Sequence, residues 1–202
     1  MSGSTPTGDR RWFLRGALGA SAATALLTVG STVPGLERVS ILRSRTPGAS
    51  PDGVPVNRTP EAAGVTLIPE DAWRITVSGP AGAHDLGLAE LTSMRQTTVV
   101  LPIACVEGWS ASASWTGVRV RDLTALVGGS SRDVTVESAE RSGGYRVTTL
   151  PASYAEHPDS LLALRIGGRR LPLEHGYPAR VIAPNRPGVL QTKWVRRLAV
   201  SA

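Results

Sequence analysis

The chain has 202 residues, a formal net charge of +6 and a single cysteine. That length holds one domain with a sizeable core once an N-terminal segment is set aside. One cysteine excludes an internal disulfide, and no CxxC pair or His/Cys cluster offers zinc ligands. The basic excess sits mostly at the start. Residues 1–45 carry six Arg against Asp9 and Glu37, a balance of +4, which leaves +2 for residues 46–202. Without a Lys/Arg run or an interleaved aromatic platform in the body, nucleic acid is excluded as a partner.

The chain opens with Asp9-Arg10-Arg11-Trp12-Phe13-Leu14-Arg15, followed by residues 16–36 without a charge. Paired Arg before a weakly apolar stretch is the twin-arginine export pattern. The stretch is rich in Ala, Gly, Ser and Thr, which makes a poor membrane span. Residues 1–45 are therefore expected to be an export leader read by the twin-arginine translocation machinery, placing the protein outside the cytoplasmic membrane. No clean A-x-A cleavage site marks its end, so removal and retention as a membrane anchor both stay open. Residues 46–60, with Pro47, Pro51 and Pro55, are expected to be an extended linker. Residues 61–202 form the body.

Residues 73–78 alternate as a strand closed by Gly79-Pro80. Leu88, Leu91 and Met94 give a short helix over 88–94, with His84 in the turn before it and Gly87/Glu90 as half a capping box. Residues 99–104 form a continuous apolar run, the pattern of a buried strand. A second short helix is expected over 121–127, ended by Gly128-Gly129. Residues 133–138 and 145–150 are strands, and 151–156 suits one helical turn. Residues 161–166 and 169–172 form a hairpin around Gly167-Gly168. Strands over 179–183 and 194–200 complete the chain. Short strands in excess of short helices give an α+β, mainly β, single compact domain.

Cys105 follows the apolar run at the point where a strand ends and a loop begins, a favoured place for functional residues. Its surroundings are Cys105-Val106-Glu107-Gly108-Trp109-Ser110, then Trp115-Thr116-Gly117-Val118. A second stretch reads Leu173-Glu174-His175-Gly176-Tyr177-Pro178-Ala179-Arg180, and a third Gln191-Thr192-Lys193-Trp194.

These motifs, in this order, resemble the molybdopterin-binding domain of the sulfite oxidase superfamily. The similarity is greatest to its bacterial exported branch, which includes the protein-methionine-sulfoxide reductase catalytic subunit. It runs from about Asn57 to Val200. The resemblance implies the sulfite-oxidase-type fold and a molybdenum–molybdopterin cofactor whose metal takes the Cys105 thiolate. It implies pterin contacts from Asn57, Ser138, His175, Arg180, Gln191, Thr192 and Lys193. Soft anionic sulfur suits the metal, while Arg and Lys suit the pterin phosphate. Glu107, beside the metal ligand, is the candidate proton relay.

The resemblance has departures. Sulfite oxidases carry an additional β-sandwich dimerisation domain and an Asn-Arg pair after the cysteine; neither is found here, which weighs against sulfite as substrate. The expected activity is oxygen-atom transfer to or from a small molecule or an oxidised side chain, with sulfoxide reduction as the family precedent. No C-x-x-C-H haem motif is present. Electrons are therefore expected to pass to a separate redox partner, a membrane-bound haem or quinol protein. The alternative is a non-catalytic module that keeps the fold and the pterin without turnover. A thiol hydrolase built on Cys105 would need a His and a carboxylate beside it, and His84, His157 and His175 show no such arrangement.

Overall fold

The computed structural model describes residues 53–105 and 108–201. The chain enters through α1 (Pro60–Ala63), capped by the Thr59 hydroxyl. A hairpin of β1 (Arg74–Gly79) and β2 (Gly82–Gly87) follows, then α2 (Leu88–Ser93). Next come β3 (Thr97–Ala104), β4 (Ser110–Arg119), α3 (Val120–Ala125), β5 (Val134–Ser138), β6 (Val147–Leu150) and α4 (Ala152–Ala155). The remainder is β7 (Leu161–Ile166), β8 (Arg169–Arg170), β9 (Arg180–Ile182) and β10 (Val195–Val200), with 3₁₀ turns at Leu173–His175 and Gly188–Leu190.

Two sheets result. The first runs β2-β1-β10-β5-β6, parallel only between β1 and β10. The second runs β3-β4-β7, with β8 and β9 both pairing with β7. Helix α3 touches β1 in one sheet and β4 in the other, so it ties the two together. Ile75 and Val77 of β1, Leu123 of α3, Val118 of β4 and Leu198 of β10 are fully buried in one core. Alternation explains β5: Val134, Val136 and Ser138 are buried while Thr135 and Glu137 lie nearer solvent. Strand β7 is different. Leu161 to Leu164 are all buried, as for a strand covered on both faces. Its hairpin turn places Gly167 and Gly168 at φ 56° and 75°, the mirror-image turn that matches strand twist.

Three expectations change. The apolar run before Cys105 is an edge strand, not a buried one: Val99, Leu101 and Ile103 turn inward, while Val100 is 70% exposed. Pro102 fits an edge, because proline cannot serve a ladder on both sides. Residues 110–119, assigned no element from the sequence, form the long strand β4. Its Ser/Ala alternation carries the strand period without bulky residues, so hydrophobicity hid it. His84 lies on β2 rather than in a turn, opposite Val77. That strand is almost wholly exposed, and its register with β1, including a Thr76 hydroxyl donating to Asp85 at 2.6 Å, defines it instead of an apolar face.

Gly117 marks where the second sheet is tightest. The β4–β7 register shifts beside it, leaving Leu164 as the extra residue of a bulge. A Cβ at 117 would stand 2.1 Å from the Leu162 carbonyl oxygen and 2.7 Å from the Ala163 Cα. Both are backbone atoms in a buried strand and cannot yield cheaply. Gly117→Ala is expected to cost about 3 kcal/mol, lowering the urea midpoint by about 1–2 M.

Candidate functional site

Cys105 is the first residue after β3, where the chain leaves for β4. Two backbone bonds hold it there. The Cys105 amide donates to the Trp109 carbonyl at 2.9 Å, and the Gly108 amide donates to the Cys105 carbonyl at 3.0 Å. Gly108 takes φ +87°, which only glycine adopts without strain. The turn holds Cys105 at 9% exposure, with the Asn57 side-chain amide donating toward Sγ at 3.6 Å. A small space of about 10 Å³ beside it is lined by Val54, Pro55, Asn57, Ile103 and Trp109 together with Arg180, Gly188 and Lys193.

A larger cleft of about 120 Å³ adjoins this space, sharing Asn57, Gly188 and Lys193 with it. Its other walls include Arg58, Glu140, Tyr145, Gln191 and Thr192. The floor is a crossing of two segments. Gly176, at φ +108°, lies so close to Lys193 that a Cβ would meet the Lys193 Cα at 3.0 Å. Its carbonyl accepts from the Trp194 amide at 3.2 Å, and the Trp194 indole donates to the Leu173 carbonyl at 2.7 Å. The crossing thus locks residues 173–180 against 191–194.

Arg180 is buried at 3% exposure. Its Nη1 and Nη2 donate to the carbonyls of His175 (3.1 Å) and Gln191 (3.2 Å), and its guanidinium lies 5.2 Å from the Trp115 ring centroid. Among the described residues no carboxylate pairs with it, and Nε is buried without a partner. Burial lowers its pKa to about 9. Lys193 donates from Nζ to the carbonyls of Glu174 (2.7 Å) and Arg58 (2.9 Å). Burial, reinforced by the neighbouring Arg180 charge, lowers its pKa to about 7 against the opposing pull of Glu140 and Glu174. Two cations held in low dielectric, one with an unused buried donor, make a receptor for an anionic group. The Gln191 Oε1, also buried without a partner, adds an acceptor to the same wall.

Six sequence candidates come together: Asn57, Cys105, Arg180, Gln191, Thr192 and Lys193 line one or both spaces. Two do not line either. Ser138 is buried behind the wall, its hydroxyl donating to the Lys193 carbonyl (2.8 Å) and accepting from the Glu140 amide (3.2 Å). His175 is 1% exposed in its 3₁₀ turn and offers Arg180 its carbonyl. Thr192 shares a hydroxyl–hydroxyl bond of 2.9 Å with Thr148. Glu107 lies outside the described residues. The sequence reading missed Arg58 and Glu140, a 3.0 Å ion pair across the cleft with Glu140 at 11% side-chain exposure. They stand 82 positions apart, and no local pattern joins them.

Lys193 gives a pH test. Between pH 7 and its ordinary 10.5 the folded cofactor-free chain holds fewer protons than the unfolded one, so stability rises with pH across that window. Below pH 7 the penalty is full. Urea midpoints at pH 7 and pH 9.5 should rise in wild type relative to Lys193→Met, in which this contribution is absent.

Residues 62–202 match the family model described as "Oxidoreductase molybdopterin binding domain". The chain is 31% identical over 131 residues to the subunit YedZ1 of Azospira oryzae, whose name assigns it provisionally to a protein-methionine-sulfoxide reductase. That match covers 64% of this chain and 49% of the relative. It is 30% identical over 167 residues to the sulfite oxidase of Gallus gallus, covering 68% of this chain and 36% of that one. The chain therefore spans half or less of the length of these curated relatives. Among solved structures, the sulfane dehydrogenase SoxCD from Paracoccus pantotrophus superimposes with a TM-score of 0.60 at 23% identity, over 67% of this chain and 39% of that one, a likeness of fold. With two thirds of its length inside the family model and the mainly β fold in agreement, the chain belongs to the oxidoreductase molybdopterin binding domain family, within the sulfite oxidase superfamily.

Proposed function

We propose that this protein is an exported molybdenum–molybdopterin oxidoreductase in which Cys105 is the protein ligand of the metal. One observation carries the reading: the chain's single cysteine opens into a cleft whose buried cations have no matching acid among the described residues. When bound, the cofactor supplies two-electron oxygen-atom transfer.

The chain's own residues hold and orient. Cys105 presents a soft sulfur from a closed turn, and the Asn57 amide fixes its direction. Arg180 and Lys193 would hold the anionic end of the cofactor; an anion there would relieve the burial cost that both carry. Gln191 and Thr192 border the same wall. Ser138 sets the Lys193 backbone and so acts as a positioning residue.

Sulfoxide reduction fits the name carried by the YedZ1 relative. In balance, a sulfoxide takes up two electrons and two protons, its S–O bond breaks, and thioether and water leave. The electrons come from a separate protein, a membrane-bound haem or quinol carrier. The sequence has no C-x-x-C-H motif, and no His/Cys/Asp/Glu cluster among the described residues could hold a second metal. The Arg10-Arg11 leader supports export by the twin-arginine route, a path that suits a protein that folds around its cofactor before crossing.

The test is metal and pterin content. Protein purified from a host that makes the cofactor should hold close to one molybdenum per chain, and Cys105→Ser should lose the metal or alter its coordination spectrum. Arg180→Met should lower pterin retention about 10-fold or more while the chain remains folded. Wild type free of both molybdenum and pterin would overturn the reading and leave the fold in some other use.

A further inference from the structure

The part of the lining formed by residues 54–58 is attached differently from the rest. Cys105, Ser138, Arg180 and Lys193 lie at or near strand ends, but residues 53–59 belong to no helix or strand. Among the described residues, no backbone–backbone hydrogen bond ties 54–58 to the rest of the chain. Yet this segment borders both spaces: Val54, Pro55 and Asn57 line the one beside Cys105, and Asn57 and Arg58 line the larger one. A stretch fixed only through side chains opens at a lower free energy than the strands beside it.

Its polar contacts converge on Arg58. Nε donates to Glu140 Oε2 at 3.0 Å, and Nη2 donates to the Ser142 carbonyl at 2.8 Å. The Arg58 carbonyl accepts from Lys193 Nζ at 2.9 Å. The Glu140 side chain is 11% exposed, so solvent and salt screen the pair less than a surface pair. The loop that receives Arg58 is itself held to the body. The Glu140 amide donates to Ser138 Oγ at 3.2 Å, and the Ala139 amide donates to the Trp194 carbonyl at 2.8 Å. Gly143, at φ +132°, lets this loop curl around the pair: a Cβ there would meet Glu140 Oε2 at 3.1 Å and Arg58 Nη2 at 3.3 Å. The residue before Arg58 is Asn57, whose amide donates toward Cys105 Sγ at 3.6 Å. The arginine that fastens the segment is therefore next in sequence to the residue that meets the thiol.

We propose that residues 54–58 form a strap that opens and closes over Cys105 and the cleft, and that the Arg58–Glu140 pair is its latch. Both are positioning residues. When latched, they hold Asn57 against Sγ and close the cleft; when released, they admit reagents to the thiol and the cofactor to its site. The statement about the cofactor rests on the function proposed above, and the statement about the thiol does not.

Two rates test this, both on the full chain. The first is alkylation of Cys105 by iodoacetamide in cofactor-free protein, followed by intact mass; the chain has no other cysteine. Arg58→Met and Glu140→Gln should each speed alkylation about 10-fold, and the double variant should be no faster than the quicker single one. Arg58→Glu combined with Glu140→Arg, which restores the pair in reverse, should recover part of the protection. Arg196→Met, which removes the surface pair with Glu137, should leave the rate unchanged. The melting midpoints should fall by less than about 4 °C, since the opening is local. The second rate is loss of pterin from molybdenum-loaded protein, which the two single variants should also speed about 10-fold. Alkylation at the wild-type rate in both single variants would overturn the strap. Fully additive effects in the double variant, or a much larger fall in melting midpoint, would overturn the latch. Faster alkylation with unchanged pterin loss would overturn the gating of the cofactor. Wild type that holds neither molybdenum nor pterin would remove the function proposed above, while faster alkylation in the variants would still establish the strap over the thiol.

Discussion

A buried guanidinium that meets no acid among the described residues governs the architecture of the site. Arg180 cannot be placed where it is unless other groups meet its donors, and two backbone carbonyls do so from opposite directions, one from the 3₁₀ turn at His175 and one from Gln191. Trp115 covers its face from β4. Each contact belongs to a different part of the sequence, so the cation can be held only once the second sheet and the 173–194 crossing have formed together. A charge of this kind weakens the empty protein and strengthens the loaded one. Its cost is a property of the apo state, and an anion in the cleft reverses the sign.

The same logic explains why the site straddles both sheets. Cys105 comes from the β3–β4 turn of one sheet, while Lys193 sits just before β10 of the other. Neither sheet alone forms the cleft. Helix α3 touches both, and the glycine at 176 permits the close crossing that brings residue 193 to the floor. Ser138, at the end of β5, ties that floor back to the first sheet through the Lys193 carbonyl. Cys105, Ser138, Arg180 and Lys193 each lie at or within two residues of a strand end rather than in the middle of a long loop.

Much of this was legible in the sequence, and the limits have physical causes. Strands with bulky alternation, such as β5, and the Gly-Gly hairpin announced themselves. Strand β4 did not, because serine and alanine carry the period with little hydrophobic contrast, and β2 did not, because cross-strand pairing rather than an apolar face defines it. The cluster of Asn57, Cys105, Arg180, Gln191, Thr192 and Lys193 was legible through motif resemblance; composition alone would have left Cys105 an ordinary buried thiol. Ser138 and His175 carried the right chemistry in the right order but do not line the cleft: the Ser138 hydroxyl donates to the Lys193 backbone, and His175 meets Arg180 through its own carbonyl. The Arg58–Glu140 pair was invisible, since a contact across 82 residues leaves no local trace.

One partner of that pair, Arg58, lies in a segment outside the family match. The family match begins at residue 62, yet Val54, Pro55, Asn57 and Arg58 all line the two spaces. Residues 62–202 therefore supply Cys105, the buried Arg180 and Lys193, while the segment before them supplies part of the lining. Val54 is anchored at 1% exposure, and the Arg58 carbonyl receives the Lys193 ammonium, so this entering segment is fixed to the cleft by packing and hydrogen bonding rather than by belonging to a sheet. The cleft is thus completed from outside the family match, by a segment whose Val54 packs into the core and whose Asn57 amide and Arg58 carbonyl meet the cysteine and the lysine.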